Sequence, residues 1–249
     1  MNLLRFQPPV IAHRGASAYA PENTLIAFTK AAQLGIKWVE FDVMLSADGQ
    51  PIIFHDERLD RTTNGKGEIA NYHYDYLRTL DAGKWFDWEF SGERIPSLAH
   101  VLEFLLNAKM SANVEIKPLR GQEEATVRQA WQIVSYYFPI LDQSILFSSF
   151  SVKVLELLRQ QSKTCLLGLL MHTWLPNWLQ ICEELNCLSV HVNQEILTRE
   201  KAKKIKDMGY MLLSYTVNDP LRAKELYSWG VDAVFSDVPD KIVSCLSFS

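Results

Sequence analysis

Three apolar runs near the start of the chain decide its fold: Val10-Ile11-Ala12-His13-Arg14-Gly15, Trp38-Val39-Glu40-Phe41-Asp42-Val43 and Pro51-Ile52-Ile53-Phe54-His55-Asp56. Each is short and strand-like, and each carries charged or titratable residues. Side chains alternate along a strand, so Glu40 and Asp42 share one face while Val39, Phe41 and Val43 take the other. Adjacent acids repel, and burying the pair is costly unless a cation compensates them. A metal ion is the simplest device that tolerates both.

Asn113-Val114-Glu115-Ile116-Lys117-Pro118 alternates in the same way and offers a third acid. Glu40, Asp42 and Glu115 together make an all-oxygen set, which suits a hard cation such as Mg2+ or Ca2+ rather than zinc or copper. Arg14 and Lys117 are cations that could hold a phosphate. His13 and His55 exchange protons near neutral pH. Metal, phosphate clamp and two proton carriers point to phosphate-ester hydrolysis.

Outward from this segment, strands and helices alternate. Asn23 is placed to cap a helix from Thr24 to Leu34 that Gly35 ends. Trp38 to Leu45 is the second strand, and Ile52 to Phe54 a short extended return after an Asp48-Gly49 turn. From Asp56 to Pro96 periodicity lapses, and Trp85, Phe86, Trp88 and Phe90 crowd together. A connection this long within a compact domain reads as a functional insertion. Its aromatics either pack it on the rim or also line the substrate site.

Regularity resumes with Ser97 capping a helix that carries Leu98, Val101, Leu102 and Leu105. Further strands are expected at Val114 to Lys117, Ile145 to Phe150, Cys165 to Leu170, Leu188 to Val192, Met211 to Val217 and Ala233 to Ser236. Helices are expected at Glu123 to Tyr137, Val152 to Arg159, Arg199 to Met208 and Arg222 to Trp229. Eight strands with helices between them predict an α/β fold, a parallel (β/α)8 TIM barrel with a small insertion after strand 2, and a single domain over residues 1–249 with the insertion at about 56–96. Active sites in such barrels lie at the C-terminal ends of the strands, where His13, Asp42 and Lys117 all fall. His191 and Asn193 share a face of the sixth strand and could reach the pocket rim. Asp56 either orients His55 or caps a turn.

The ordered set His13-Arg14-Gly15, Pro21-Glu22-Asn23-Thr24, Glu40-x-Asp42, His55-Asp56, Glu115-x-Lys117 and Val231-Asp232-Ala233-Val234-Phe235-Ser236-Asp237-Val238-Pro239 resembles the glycerophosphodiester phosphodiesterases of the compact bacterial type. The resemblance spans almost the whole chain. It implies hydrolysis of a glycerophosphodiester to glycerol 3-phosphate and an alcohol. His13 and His55 would be the acid and base, and Glu40, Asp42 and Glu115 would hold one divalent cation, Mg2+ or Ca2+. Arg14 and Lys117 would contact phosphate. The family often carries a tryptophan before Thr-x-Asn at the end of the seventh strand. Here that residue is Tyr215, which keeps an aromatic wall toward the glycerol and adds a hydroxyl needing a partner. The alternatives are a related barrel enzyme cleaving lysophospholipids or phosphoinositides at a membrane, marked by an exposed apolar rim, and a non-catalytic glycerophosphodiester binder, marked by loss of a histidine or acid.

The 249 residues are 48% hydrophobic, enough for a large core, and the net charge of −4 gives no basic footprint for nucleic acid. Cys165, Cys182, Cys187 and Cys245 lack zinc-ribbon spacing and read as free thiols of a reducing compartment. The opening Met1 to Pro9 is too short and polar for a signal peptide, and no run reaches the ~18 apolar residues of a membrane span. The expected location is cytoplasmic, without stable membrane insertion.

Overall fold

A computed structural model describes residues 4–139 and 144–246. The chain begins with β1 (Val10–His13), α1 (Leu25–Gln33), β2 (Trp38–Leu45) and β3 (Pro51–Ile53), and continues through a short α2 (Tyr74–Leu77) to α3 (Leu98–Ala108). Then follow β4 (Ser111–Ile116), α4 (Glu123–Tyr137), β5 (Ile145–Ser149), α5 (Val152–Gln161), β6 (Leu166–Met171) and α6 (Trp178–Glu184). The last elements are β7 (Ser189–Asn193), α7 (Arg199–Asp207), β8 (Met211–Tyr215), α8 (Pro220–Ser228), β9 (Ala233–Ser236) and α9 (Pro239–Leu246). All strands but β3 run parallel, and β1 pairs with both β2 and β9, so the sheet closes into the eight-stranded barrel. β3 instead pairs antiparallel with the far end of β2, where Val43 faces Ile53 and Leu45 faces Pro51.

Alternation along the strands sorts the interior into separate cores. Outward residues such as Val39, Phe41, Val114, Phe147, Leu169 and Val192 pack on the helices. Inward residues near the N-terminal strand ends, among them Ile11, Trp38, Leu146 and Met211, join Leu4 and Phe6, which close that end with the Phe6 ring edge-on to Trp38 at 4.8 Å. The same faces turn polar toward the C-terminal ends, so the charged residues sit above a dry floor.

The insertion has its own small core. Met44, Ile52 and Phe54 from the β2–β3 hairpin pack on Leu59, Ile69, Leu77 and Ile95. Much of its backbone is held by side chains. Asp81 accepts from the N–H groups of Gly83, Lys84 and Gly92 and from the Ser91 hydroxyl.

The residue that caps α1 differs from the expectation. Thr24 takes the extended cap conformation and accepts from the Ala27 N–H at 3.4 Å. Asn23 lies in the left-handed region at φ 58°, a conformation asparagine tolerates better than most residues, and this frees its amide for another task. α8 starts before Arg222 because Asp219 caps it and Pro220, lacking an N–H, fits its first turn. Beside the short α2 of the insertion, α6 and α9 add two barrel helices to those expected. Both are short, although Trp178, Ile181 and Cys182 carry the buried face of α6 at helical spacing.

Candidate active site

The turn after β1 is where backbone sterics first shape the site. Arg14 and Gly15 both take positive φ, 55° and 83°. A Cβ on Gly15 would lie 2.7 Å from the Ala27 carbonyl carbon, so only glycine lets β1 approach α1 this closely. The turn is tied down by Asn23, whose N–H donates to the Arg14 carbonyl at 3.0 Å, and it aims the Arg14 N–H at Glu40 Oε2, 2.9 Å away.

A cavity of about 310 Å³ opens above the dry floor. One wall carries His13, Arg14, Glu40, Asp42, Glu115 and Lys117, with His55 beside them. The opposite wall is largely apolar, formed by Phe150, Leu170, Tyr215 and Phe235 with His172 at the rim. All eight residues selected from the sequence therefore line one cavity. The aromatic residues of the insertion do not line it. Trp88 is 70% exposed with the Lys84 ammonium 4.2 Å from its ring centre, and Phe86 packs edge-on to Trp85 and Phe90.

Glu40, Asp42 and Glu115 offer carboxylate oxygens that lie within 4.8 Å of one another. The cross-strand register explains this: Asp42 sits opposite Glu115 on β4, and both acids of β2 face inward. Burial pushes Glu40 well above the ordinary carboxylate range, and the charges of Asp42 and Glu115 push it further. Burial and Asp42 likewise raise Glu115. Burial also works against Asp42, but Arg14, His55, Lys117 and the Asn23 amide outweigh it and hold the group low. The distances agree: Arg14 Nε is 3.6 Å from Asp42 Oδ2, Lys117 Nζ 3.8 Å from Oδ1, and Asn23 Nδ2 donates to Oδ2 at 2.9 Å. Two buried acids and the half-buried Glu115 thus outnumber their nearby compensation, and an all-oxygen donor set fits a hard cation.

Each histidine is backed by an aspartate. His13 Nδ1 lies 2.7 Å from Asp237 Oδ1, and His55 Nδ1 lies 2.6 Å from Asp56 Oδ1. An ionised carboxylate only accepts, so each Nδ1 carries the proton and each Nε2 is left as the basic nitrogen. His13 Nε2 is 4.0 Å from Glu40 Oε2. Asp237 also accepts from Ser17 Oγ and Asn218 Nδ2. Burial opposes its ionisation, yet the hydrogen bonds from His13, Asn218 and Ser17 bring it down to about 2. Asp56 is held below the ordinary range chiefly by Arg61 and then by His55. Burial lowers His55, against the pull of Asp42.

Several of these partners have no role that the sequence alone assigns. Asp237 stands in a motif near the end of the chain, and its place just past a barrel strand is a usable signal for a site residue. Arg61 lies where no periodicity points to it. His172, in a loop by sequence, reaches the rim, its Nδ1 3.4 Å from Asn193 Nδ2. Asn193 meets the pocket only through this contact. His191 does not reach the rim. It is fully buried below the cavity, its Nε2 2.8 Å from Ser189 Oγ and its ring against Phe235, and burial lowers it to about 3.

Two histidines, an arginine, a lysine and a carboxylate cluster at the C-terminal mouth of a (β/α)8 barrel form a set suited to a hydrolase of phosphate esters. Residues 13–241 match the family model for the glycerophosphoryl diester phosphodiesterase family, and the chain belongs to that family of phosphoric diester hydrolases. It is 32% identical over 239 residues to a glycerophosphodiester phosphodiesterase of Caldanaerobacter subterraneus subsp. tengcongensis, covering 94% of this chain and 96% of that protein. Among solved structures, it resembles an Oleispira antarctica phosphodiesterase in complex with the product sn-glycerol-3-phosphate, at 41% identity and a TM-score of 0.93, covering 96% and 97% of the two chains. A glycerophosphodiester phosphodiesterase from Agrobacterium tumefaciens superposes with a TM-score of 0.79 at 26% identity, covering 94% and 98%. Among the described residues no helix is long and apolar enough to cross a membrane.

Proposed function

We propose that this chain, acting as a single barrel domain with its insertion at about 56–96, hydrolyses small glycerophosphodiesters to glycerol 3-phosphate and an alcohol. Glu40, Asp42 and Glu115 hold one divalent cation, Mg2+ or Ca2+, and His13 and His55 divide the acid and base roles. The observation that carries this reading is the convergence of three carboxylates, two of them buried, beside two aspartate-backed histidines. The cation, when bound, neutralises the carboxylate cluster and a phosphate oxygen. Arg14 and Lys117 share the charge that grows on the nonbridging oxygens. One histidine takes the proton of the attacking oxygen, from water or the glycerol 2-hydroxyl. The other enters the step as an imidazolium protonated on Nε2 and gives that proton to the leaving oxygen as the phosphorus–oxygen bond breaks; where the 2-hydroxyl attacks, water then opens the cyclic phosphate to glycerol 3-phosphate. Tyr215 contributes a hydroxyl, unpartnered among the described residues, to the glycerol side.

The Oleispira relative, which binds sn-glycerol-3-phosphate, supports the substrate class. All four cysteines are free, which supports a cytoplasmic location. The test is turnover of glycerophosphocholine by the purified protein before and after exhaustive chelation. Loss of glycerol 3-phosphate release on chelation, restored by Mg2+ or Ca2+, is expected, and full turnover without metal overturns the cation assignment. The cation also stabilises the fold, by about 2.7 kcal/mol at 100 times its dissociation constant, read as a rise in Tm.

A further inference from the structure

Arg61 lies outside the cavity, yet its guanidinium joins two of the groups that line it. Nε and Nη2 donate to the two oxygens of Asp56 at 2.6 and 2.9 Å. Nη1 and Nη2 donate to the two oxygens of Glu22 at 2.7 and 2.8 Å. Each carboxylate then turns inward. Asp56 Oδ1 accepts from His55 Nδ1 at 2.6 Å, and Glu22 Oε1 accepts from Arg14 Nη1 at 2.7 Å. A continuous chain of hydrogen bonds therefore runs His55–Asp56–Arg61–Glu22–Arg14 around the outside of the site.

We infer that Arg61 is a positioning residue of the hydrolysis, through which the insertion fixes the proton-transferring His55 and the phosphate-binding Arg14 at the same time. The inference rests on the roles proposed above for those two residues. A half-exposed ion pair alone contributes little to stability. Geometry sets this one apart, because the planar guanidinium meets two carboxylates in paired hydrogen bonds that an ammonium cannot reproduce. Glu22 and Asp56 are each bound to a pocket residue, so the fork also sets the direction in which they present their inner oxygens. The loop that offers Arg61 is itself ordered. Leu59 is fully buried, its N–H donates to the Gly67 carbonyl at 2.9 Å, and Thr63 Oγ1 donates to the Leu59 carbonyl at 2.7 Å. The insertion thus holds a donor against two carboxylates that, without it, would each be oriented by a single inward hydrogen bond.

The two branches give separable kinetic signatures. Asp56→Asn acts first on the His55 branch and chiefly lowers kcat, whereas Glu22→Gln acts first on Arg14 and mainly raises KM. Arg61→Gln is expected to do both, lowering kcat by about 10- to 100-fold, the scale of a 1 Å misplacement of a reacting group, and raising KM several-fold. Arg61→Gln combined with Asp56→Asn should lose no more kcat than Asp56→Asn alone, because both cut one path. In Arg61→Ala, millimolar guanidinium should restore part of the lost turnover. The metal-induced rise in Tm should persist in every variant, since the carboxylate cluster is untouched. If Arg61→Gln folds poorly, Arg61→Lys keeps the charge without the fork and is expected to show the same paired defect in milder form.

Wild-type kcat and KM in a folded Arg61→Gln or Arg61→Lys protein overturns the inference. So does a double variant whose kcat loss is the product of the single losses, or failure of guanidinium to rescue. His55→Ala with wild-type turnover would instead defeat the reading of the site. An inactive His55→Ala beside an unimpaired Arg61→Gln would defeat the inference about Arg61 alone.

Discussion

The two histidines have the same hydrogen-bonding pattern and are built by opposite means. His13 and Asp237 are 224 positions apart and meet because β1 and β9 are hydrogen-bonded where the barrel closes. Asp237 is further held by Ser17 and by Asn218, whose own oxygen accepts from the Asp237 N–H at 2.8 Å. His55 and Asp56 are neighbours in sequence, past the last residue of the edge strand β3, and their outer support is Arg61 from the insertion. One pair is part of the barrel's closure and the other is braced from outside it. The first should be coupled to folding, and the second chiefly to catalysis.

The largest effects should not distinguish the pairs. His13→Ala and His55→Ala are each expected to lower kcat by about 10²- to 10⁴-fold, the range for one general acid or base. The double variant should fall well short of the product, because the two act in one reaction. Steady-state kinetics with glycerophosphocholine checks this, and near wild-type turnover in either single variant removes that histidine from the mechanism.

Replacing the aspartates should separate the pairs. Asp237→Asn removes the charge and one acceptor oxygen of a half-buried carboxylate that takes hydrogen bonds from His13, Ser17 and Asn218, and should destabilise the fold by about 2 kcal/mol. Asp56→Asn, whose outer partner is the exposed Arg61 side chain, should cost less than about 1 kcal/mol while still lowering kcat. Urea titrations of both variants give the comparison, and equal midpoints would erase the distinction drawn here.

The same contrast has an acid limb. The folded protein holds Asp237 down to about 2 from an ordinary 3.8, so its contribution is fully present above 3.8 and is lost as pH falls toward 2. That contribution amounts to about 2 kcal/mol, since each tenfold change in proton affinity is worth about 1.4 kcal/mol. The stability of Asp237→Asn should therefore converge on that of the wild type across this interval, as read by the Tm of both proteins at a series of pH values. A constant gap would assign the loss to packing instead of charge.

The smallest effect lies outside both pairs and serves as their control. Tyr215→Phe removes a buried hydroxyl that has no partner among the described residues, so stability should hold or rise slightly. If that hydroxyl meets the glycerol, KM for glycerophosphocholine should rise about 3- to 10-fold, the equivalent of one neutral hydrogen bond. Unchanged KM would take Tyr215 out of substrate binding.

The sequence by itself determined the barrel and pointed to the eight residues that line one cavity at its mouth. Glu40, Asp42 and Glu115 could be assigned to an inner face because strand alternation is a local property of the backbone. The bounds of α4 and β9 agree with the pattern for the same reason. Tertiary structure alone decided what holds the active groups in place. Nothing local joins Asp237 to His13 or Glu22 to Arg61, since those contacts exist only after the barrel has closed and the insertion has packed. Asn23 illustrates the limit. Its residue type suits a helix cap, but the close approach of β1 to α1 placed it at positive φ and turned its amide to Asp42, leaving the cap to Thr24. His191 shows another limit, because alternation gives a face but not a depth, and depth placed it below the cavity. In the insertion, order comes from single side chains such as Asp81 bonding to the backbone, which leaves no period for a sequence to display.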